Sequence, residues 1–106
     1  MQEHEETLFK SGANAMKKLE GVGGKLYLTD KALHHIPHKL NIQSAETYIP
    51  LDTITEVKAK NDFVLLRNKL IVTTKDGTMY SFRVNHRKIW IQKLRHHPSL
   101  HDVFIS

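Results

Sequence analysis

The sequence predicts a mostly β domain that ends in one α-helix. Apolar and polar residues alternate from Lys25 to Thr29 and from Met79 to Val84, which is the period of a strand with one buried face. Tight-turn signals separate such runs, and Asp76-Gly77 is the strongest of them. The segment His86 to His97 spaces its apolar residues as a helix does and carries the only Trp of the chain. Short strands followed by one terminal helix are typical of an all-β barrel with a plug.

The N-terminal part of the chain predicts an ambiguous first element and then a turn. Leu8-Phe9 and Ala13 to Met16 fit either a first strand or a short helix. Glycine reaches positive φ at low cost, so a turn is predicted where glycines cluster. The clustered glycines are Gly21, Gly23 and Gly24.

A strand and its partner are predicted next. Leu26 and Leu28 share one face of the strand, and Asp30-Lys31 is a plausible turn. Ala32 to Ile36 reads as the partner strand, and Pro37 either ends it or marks a sheet edge because proline has no N–H for the ladder.

The middle of the chain is less regular. Asn41 to Ser44 fits a loop tip or a weak strand, and Glu46 to Leu51 is a further extended run. Apolar residues then recur at every third position, at Leu51, Ile54 and Val57. That spacing favours a helical turn over a strand for Asp52 to Val57. Another strand is predicted over Phe63 to Leu66.

A hairpin and a helix complete the prediction. Lys69 to Thr74 is β-branched and apolar, and Asp76-Gly77 predicts a type I′ turn with positive φ at both central positions. The return strand, Met79 to Val84, has a large apolar face made of Tyr80, Phe82 and Val84.

Asn85 is predicted as the N-cap of the helix His86 to His97, which Pro98 stops. Trp90 and Leu94 share its apolar face. The remaining apolar residues either dock on the core or belong to a longer parent chain: Leu100, Val103, Phe104 and Ile105.

Size and composition predict one cytosolic domain. The 106 residues, 40% of them apolar, suit a single core, which we expect over about residues 7–95 of a domain spanning 1–106. The absence of Cys excludes disulfides and Cys-based zinc sites. The acidic start differs from a signal peptide, and no apolar stretch approaches the roughly 20 residues of a membrane span. The net charge of +5 favours association with polyanions without choosing among them.

The order and spacing of these elements resemble a GRAM domain, a branch of the pleckstrin-homology-like superfold. The resembling features, which cover roughly Thr7 to Arg95, are the strand Gly24 to Asp30, Leu33, the run Ile49 to Val57, the hairpin Asp76 to Phe82, and Trp90. The resemblance implies a partly open barrel of two roughly orthogonal antiparallel sheets, capped at one end by the C-terminal helix. Trp90 would then pack into the barrel mouth as a plug.

The resemblance also implies a non-catalytic role, through binding of phosphoinositides or other anionic lipids, or through protein contacts. Pleckstrin-homology domains that bind phosphoinositides usually carry a basic residue late in the first strand and Lys/Arg-x-Arg in the second. Tyr27 stands where the second-strand Arg would be expected, which favours weak and less selective docking on anionic surfaces. The predicted docking residues are Lys10, Lys17, Lys18 and Lys25.

Other chemistries find less support. The glycines before Lys25 lack the Ser/Thr and the following helix of a phosphate-binding loop. His34 and His35 would point to opposite faces of a strand, so solvated histidines are expected rather than a metal site. The basic segment Arg83 to His97 lacks an aromatic pair for base stacking, which disfavours nucleic acid as a partner.

The sequence therefore predicts a binding or adaptor module without cofactor or metal, cytoplasmic or peripheral to a membrane. The first hypothesis is docking on an anionic membrane lipid. The alternative is a protein partner, bound as a peptide at a strand edge or in the groove beside the helix.

Overall fold

The computed structural model describes residues 4–17, 20–39, 45–61 and 68–106. Its strands are β1 (Thr7–Lys17), β2 (Glu20–Thr29), β3 (Ala32–Pro37), β4 (Thr47–Pro50), β5 (Ile54–Lys60), β6 (Lys69–Thr74), β7 (Met79–Val84) and β8 (Phe104–Ile105). The helix α1 spans Arg87–Arg95, and 3₁₀ turns span Leu51–Thr53 and Pro98–Leu100. The elements predicted over Asn41 to Ser44 and Phe63 to Leu66 lie outside the described residues.

The described strands form one curled sheet in the order β4-β3-β2-β1-β7-β6-β5-β8. Neighbours pair antiparallel, except that β8 runs parallel to β5. Strand β1 belongs to both halves of the sheet because it pairs with β2 along its length and with β7 over Ala13 to Met16. The mostly β, partly open barrel with a C-terminal helix is confirmed.

Alternation in the strands places their apolar face inward, as predicted. Leu26 and Leu28 of β2 and Phe82 of β7 are each 1% exposed. The helix adds Trp90 and Leu94, both fully buried in the same core. Trp90 stacks edge-on against Phe9 at 4.8 Å between ring centroids, so its role as a plug is structural.

The glycine cluster is not a turn, contrary to the prediction, because all three glycines lie within β2. Among the glycines only Gly77 has a positive φ. At Gly24, glycine is required by lack of space and not by φ. A Cβ atom there would stand 2.2 Å from the carbonyl oxygen of Ile36 and 2.8 Å from Pro37 Cα. Gly24 therefore permits the close approach of β2 to β3.

The three-residue spacing after Leu51 predicts a helical turn, and this prediction is correct only in part. Leu51–Thr53 is a 3₁₀ turn, but Ile54 already begins β5. The pairing of β5 with β6 shifts between Ile54 and Glu56, which marks a β-bulge. A bulge inserts one residue, so Ile54 and Val57 both face the core although they are three positions apart.

The hairpin turn lies where it was predicted but is of another type. Thr74 accepts from Gly77 N (2.9 Å) and donates to Thr78 O (3.0 Å), and only Gly77 has positive φ, at +85°. This is a three-residue loop with a glycine bulge instead of the type I′ turn.

The helix also begins one residue later than predicted. His86, at φ 59°, is the N-cap of α1 and makes no capping side-chain bond. Asn85 instead donates its backbone N–H to Gly12 O at 3.1 Å and so joins the helix entrance to β1. Within the described part of the chain, no helix has the length and apolarity to cross a membrane.

Candidate functional site

One end of the barrel is left uncovered by the helix. There the end of β1, the start of β4 and the β6–β7 hairpin surround a cavity of about 230 Å³. We call this region the open end and define it by residues Lys17, Thr47, Thr78, Met79 and Tyr80, all of which line the cavity. Trp90 lies toward the opposite end of β1, where its indole Nε1–H donates to Ser11 Oγ at 2.8 Å. The fold thus closes one end with the helix and exposes the other.

Of the predicted docking lysines that the structure describes, Lys17 is the one that reaches the open end. It follows Ala13 and Ala15 on the inward face of β1, but it stands at the last position of the strand. Its ammonium group therefore emerges at the rim, where Nζ donates to the carbonyl oxygen of Ala45 at 2.6 Å. That bond leaves further ammonium protons for an anion, because an ammonium group has three donors.

Lys10 and Lys25 lie on the other face of the sheet. Lys10 pairs with Tyr27 and Gly12 pairs with Lys25, so the two lysines are diagonal neighbours on the outward side of β1 and β2. Both are exposed. The structure therefore separates this outer pair from Lys17, and Lys18 lies outside the described residues.

A further cation at this end, Lys75, was missed in the sequence. It is exposed at the tip of the β6–β7 hairpin and lines a second cavity of about 270 Å³ between that hairpin and β4. Tyr80 lines both cavities, so the two recesses adjoin. The local sequence around Lys75 indicates only the turn at Asp76-Gly77. It does not indicate which strands lie next to that turn in the fold.

The carboxylate of Asp76, the residue after Lys75, accepts hydrogen bonds from within the hairpin. It accepts from Thr74 Oγ1 at 2.5 Å and from Thr78 N at 3.0 Å. The bond from Thr74, with the bond from Thr78, holds the pKa of Asp76 below its ordinary value. Its negative charge therefore stabilises the turn, while the Lys75 side chain is exposed to solvent.

His35, which was expected to be solvated, is instead buried on the inner side of the fold, and His97 is buried as well. His35 is 0% exposed, and its Nε2 lies 2.9 Å from Ala13 O. Burial lowers the pKa of His35. His97, 5% exposed, places Nε2 3.1 Å from Thr29 O and accepts from Ser99 N at Nδ1. A backbone carbonyl from a neighbouring segment thus lies within hydrogen-bond distance of Nε2 in each ring, which residue spacing could not show.

His34 is buried as well, on the opposite face of β3. Its ring stacks edge-on against Tyr48 at 5.2 Å, and its Nε2 lies 3.2 Å from Glu46 Oε1. Burial lowers the pKa of His34. Tyr48 donates its hydroxyl proton to Glu5, and this bond raises the pKa of Tyr48 to about 12. Over the described ranges no three His, Asp or Glu side chains converge as metal ligands.

Comparison with known proteins gives a fold and no family. No protein-family model matches the sequence, and no curated protein matches it. The C-terminal domain of an unknown protein from Leishmania infantum superposes with a TM-score of 0.78 at 16% identity, covering 88% of this chain and 84% of that one.

Other similar structures are pleckstrin-homology domains. The Slm1-PH domain in complex with inositol-4-phosphate aligns at a TM-score of 0.60 and 13% identity, over 82% of this chain and 90% of that chain. The linker-DH/PH structure of p115-RhoGEF aligns at 0.61 and 14% identity, over 82% of this chain but only 27% of the longer one. These likenesses, together with the strand order and the C-terminal helix, show that the chain has the pleckstrin-homology-like fold.

Proposed function

We propose that this chain is a non-catalytic module of the GRAM type that docks on anionic membrane lipid through the open end of its barrel. The observation that carries the proposal is the position of Lys17, whose ammonium group stands at the rim of the cavity that the helix leaves uncovered. Lys75 adds a second cation from the adjoining recess. Anionic headgroups at this end would meet donors from two separate elements.

The charge distribution supports weak docking. Lys10 and Lys25 extend the positive surface around the outer face of β1 and β2, and the whole chain carries +5. Each well-placed lysine adds about 1 kcal/mol of attraction to an anionic membrane surface. Four such residues give an association that salt weakens, because exposed charges are screened over a Debye length of about 8 Å at physiological ionic strength.

The comparisons support the same class of ligand. Solved Slm1-PH complexes contain inositol-4-phosphate and phosphoserine, which are phosphate-bearing groups. The GRAM hypothesis rests on the sequence features from Gly24 to Trp90, a range that includes part of β2, strands β3 to β7, the 3₁₀ turn Leu51–Thr53 and part of the helix. A peripheral, cytoplasmic location follows from the proposal.

Co-sedimentation with vesicles tests the proposal. Wild-type chain is mixed with neutral phosphatidylcholine vesicles, with vesicles containing phosphatidylserine, and with vesicles containing phosphatidylinositol 4-phosphate, each at low and at physiological salt. We expect binding to the anionic vesicles only. The double variant Lys17→Glu/Lys75→Glu should bind at least about tenfold more weakly, since each lysine contributes about 1 kcal/mol.

A matched control separates a site from overall charge. Lys93 and Lys88 are exposed on the helix, so Lys88→Glu/Lys93→Glu changes net charge by the same amount outside the open end. We expect this control to keep most of the wild-type binding. Equal losses in the two double variants would reject the open end as the site, and absence of wild-type binding to every vesicle would reject lipid docking.

A further inference from the structure

The chain adds its own C-terminal segment as a strand to an open sheet edge. Strand β8 pairs in parallel with β5, with Glu56 opposite Phe104 and Val57 opposite Ile105. Ala59 N donates to Ser106 O and Ser106 N donates to Val57 O, both at 3.0 Å. Without β8, the Ala59 N–H and the Val57 carbonyl on the outer side of β5 would be an unpaired sheet edge. Such an edge is a template for strand addition.

The contact is short and partly open to solvent. Only Phe104 and Ile105 have strand conformation, and the Phe104 side chain is 63% exposed. From the helix, Arg95 reaches Ile105 O at 3.3 and 3.4 Å. A strand of two residues with a few backbone bonds opens locally at low free-energy cost compared with the core strands.

The segment also shows what the edge accepts. Val103 and Ile105 are partly buried against the core, whereas Phe104 between them faces outward. The backbone bonds do not depend on side-chain identity, so the specificity lies in the two inward aliphatic positions. Lys58 and Lys60 are exposed on β5, Arg95 of the helix reaches Ile105 O, and Glu56 lies opposite Phe104.

We propose that the edge of β5 beside α1 is a strand-accepting site for an extended segment of another protein, which the residues around β8 occupy in its absence. The partner segment has two aliphatic residues separated by one residue of any type, as in Val103-Phe104-Ile105. This inference is independent of lipid docking, since the edge lies outside the open end.

Competition with a peptide copy of the segment tests the proposal. The probe is a fluorescent peptide with the sequence of residues 99–106, titrated against the full chain and against the Ile105→Asp variant while anisotropy is measured. The covalently attached segment competes at an effective concentration in the millimolar range, so wild type should bind the probe weakly. Ile105→Asp weakens the pairing of β8 and leaves the sequence of β5 unchanged. We therefore expect at least about tenfold tighter binding of the probe.

Phe104→Asp is the matched control, because it adds the same charge to the same strand at an outward position. We expect no gain in probe affinity from it. Ile105→Ala serves as a milder variant where Ile105→Asp lowers the folded fraction, which circular dichroism measures. The proposal is overturned if neither Ile105 variant binds the probe more tightly than wild type, or if Phe104→Asp gains equally. It is also overturned if the chain forms a dimer that the probe dissociates, because the occupant would then be a second copy.

Discussion

At the scale of single residues, Gly24 shows how a pattern can be recognised and still be given the wrong cause. Clustered glycines commonly supply positive φ, and that reason predicted a turn. Here Gly24 is in extended backbone within β2, and what it supplies is the absence of a side chain against Ile36 and Pro37. Only the register of β2 on β3 brings those atoms together, so local sequence could not distinguish the two causes.

Gly24→Ala should therefore destabilise the fold. The added Cβ would stand 2.2 Å from Ile36 O and 2.8 Å from Pro37 Cα, and both are backbone atoms that move only with the strand. Overpacking of this kind costs about 1–3 kcal/mol. Urea unfolding of the purified variant measures the loss of unfolding free energy.

Gly23→Ala is the control one residue earlier in the same strand. Its Cβ would find its nearest neighbours, Asn14 Oδ1 and His38 Cδ2, at 3.5 Å, which is ordinary contact. We expect a change within about 0.5 kcal/mol of wild type. Equal losses at the two positions would mean that strand glycines, and not the approach of β3, set the cost.

At the scale of elements, strands with a clean alternation were predictable and interrupted ones were not. Lys69–Thr74, predicted from its β-branched and apolar residues, and Met79–Val84, predicted from its alternation, both have the expected bounds. The bulge at the start of β5 made a strand resemble a helical turn, because one inserted residue changes which positions share a face. The helix α1 begins one residue later than predicted, because the N-cap is His86. This residue has left-handed backbone and makes no side-chain capping bond.

One hydrogen bond between α1 and β1 joins Trp90 to Ser11, and Ser11→Ala should weaken the docking of the helix. Trp90 is fully buried and its Nε1–H donates to Ser11 Oγ at 2.8 Å. Removing the acceptor leaves a buried donor unsatisfied, which costs about 1–3 kcal/mol. Since Trp90 is the only Trp, its fluorescence follows the denaturant transition of this element directly.

Ser81→Ala provides the matched comparison, because Ser81 Oγ is buried and has no hydrogen-bond partner. Removing an unsatisfied hydroxyl should leave stability unchanged or raise it. If Ser11→Ala were as neutral as Ser81→Ala, the bond to Trp90 would not contribute to holding the helix.

At the scale of the whole molecule, the candidate site could not be assembled from sequence. Lys17 and Lys75 are far apart in the chain, and they line two cavities that share Tyr80 only because β1 pairs with β7, which returns from the hairpin. Conversely, Lys10 and Lys17 are close in sequence but lie on opposite faces of β1. The fold class depended on local alternation and was therefore accessible, whereas the site depends on long-range register.

The buried histidines should make global stability fall at mildly acidic pH. Burial lowers the pKa of His34 and of His35 from 6.5, so the unfolded chain binds more protons than the folded chain once the pH drops below that value. Unfolding free energy then rises with pH in this window and is lost as pH falls, by at most about 1.4 kcal/mol per pH unit for each histidine. Thermal unfolding midpoints between pH 7.5 and pH 5 measure the slope.

His35→Gln, which keeps a neutral donor for Ala13 O, should unfold at a midpoint that depends less on pH between 6.5 and 5. A slope identical to that of wild type would show that His35 takes up its proton equally in both states.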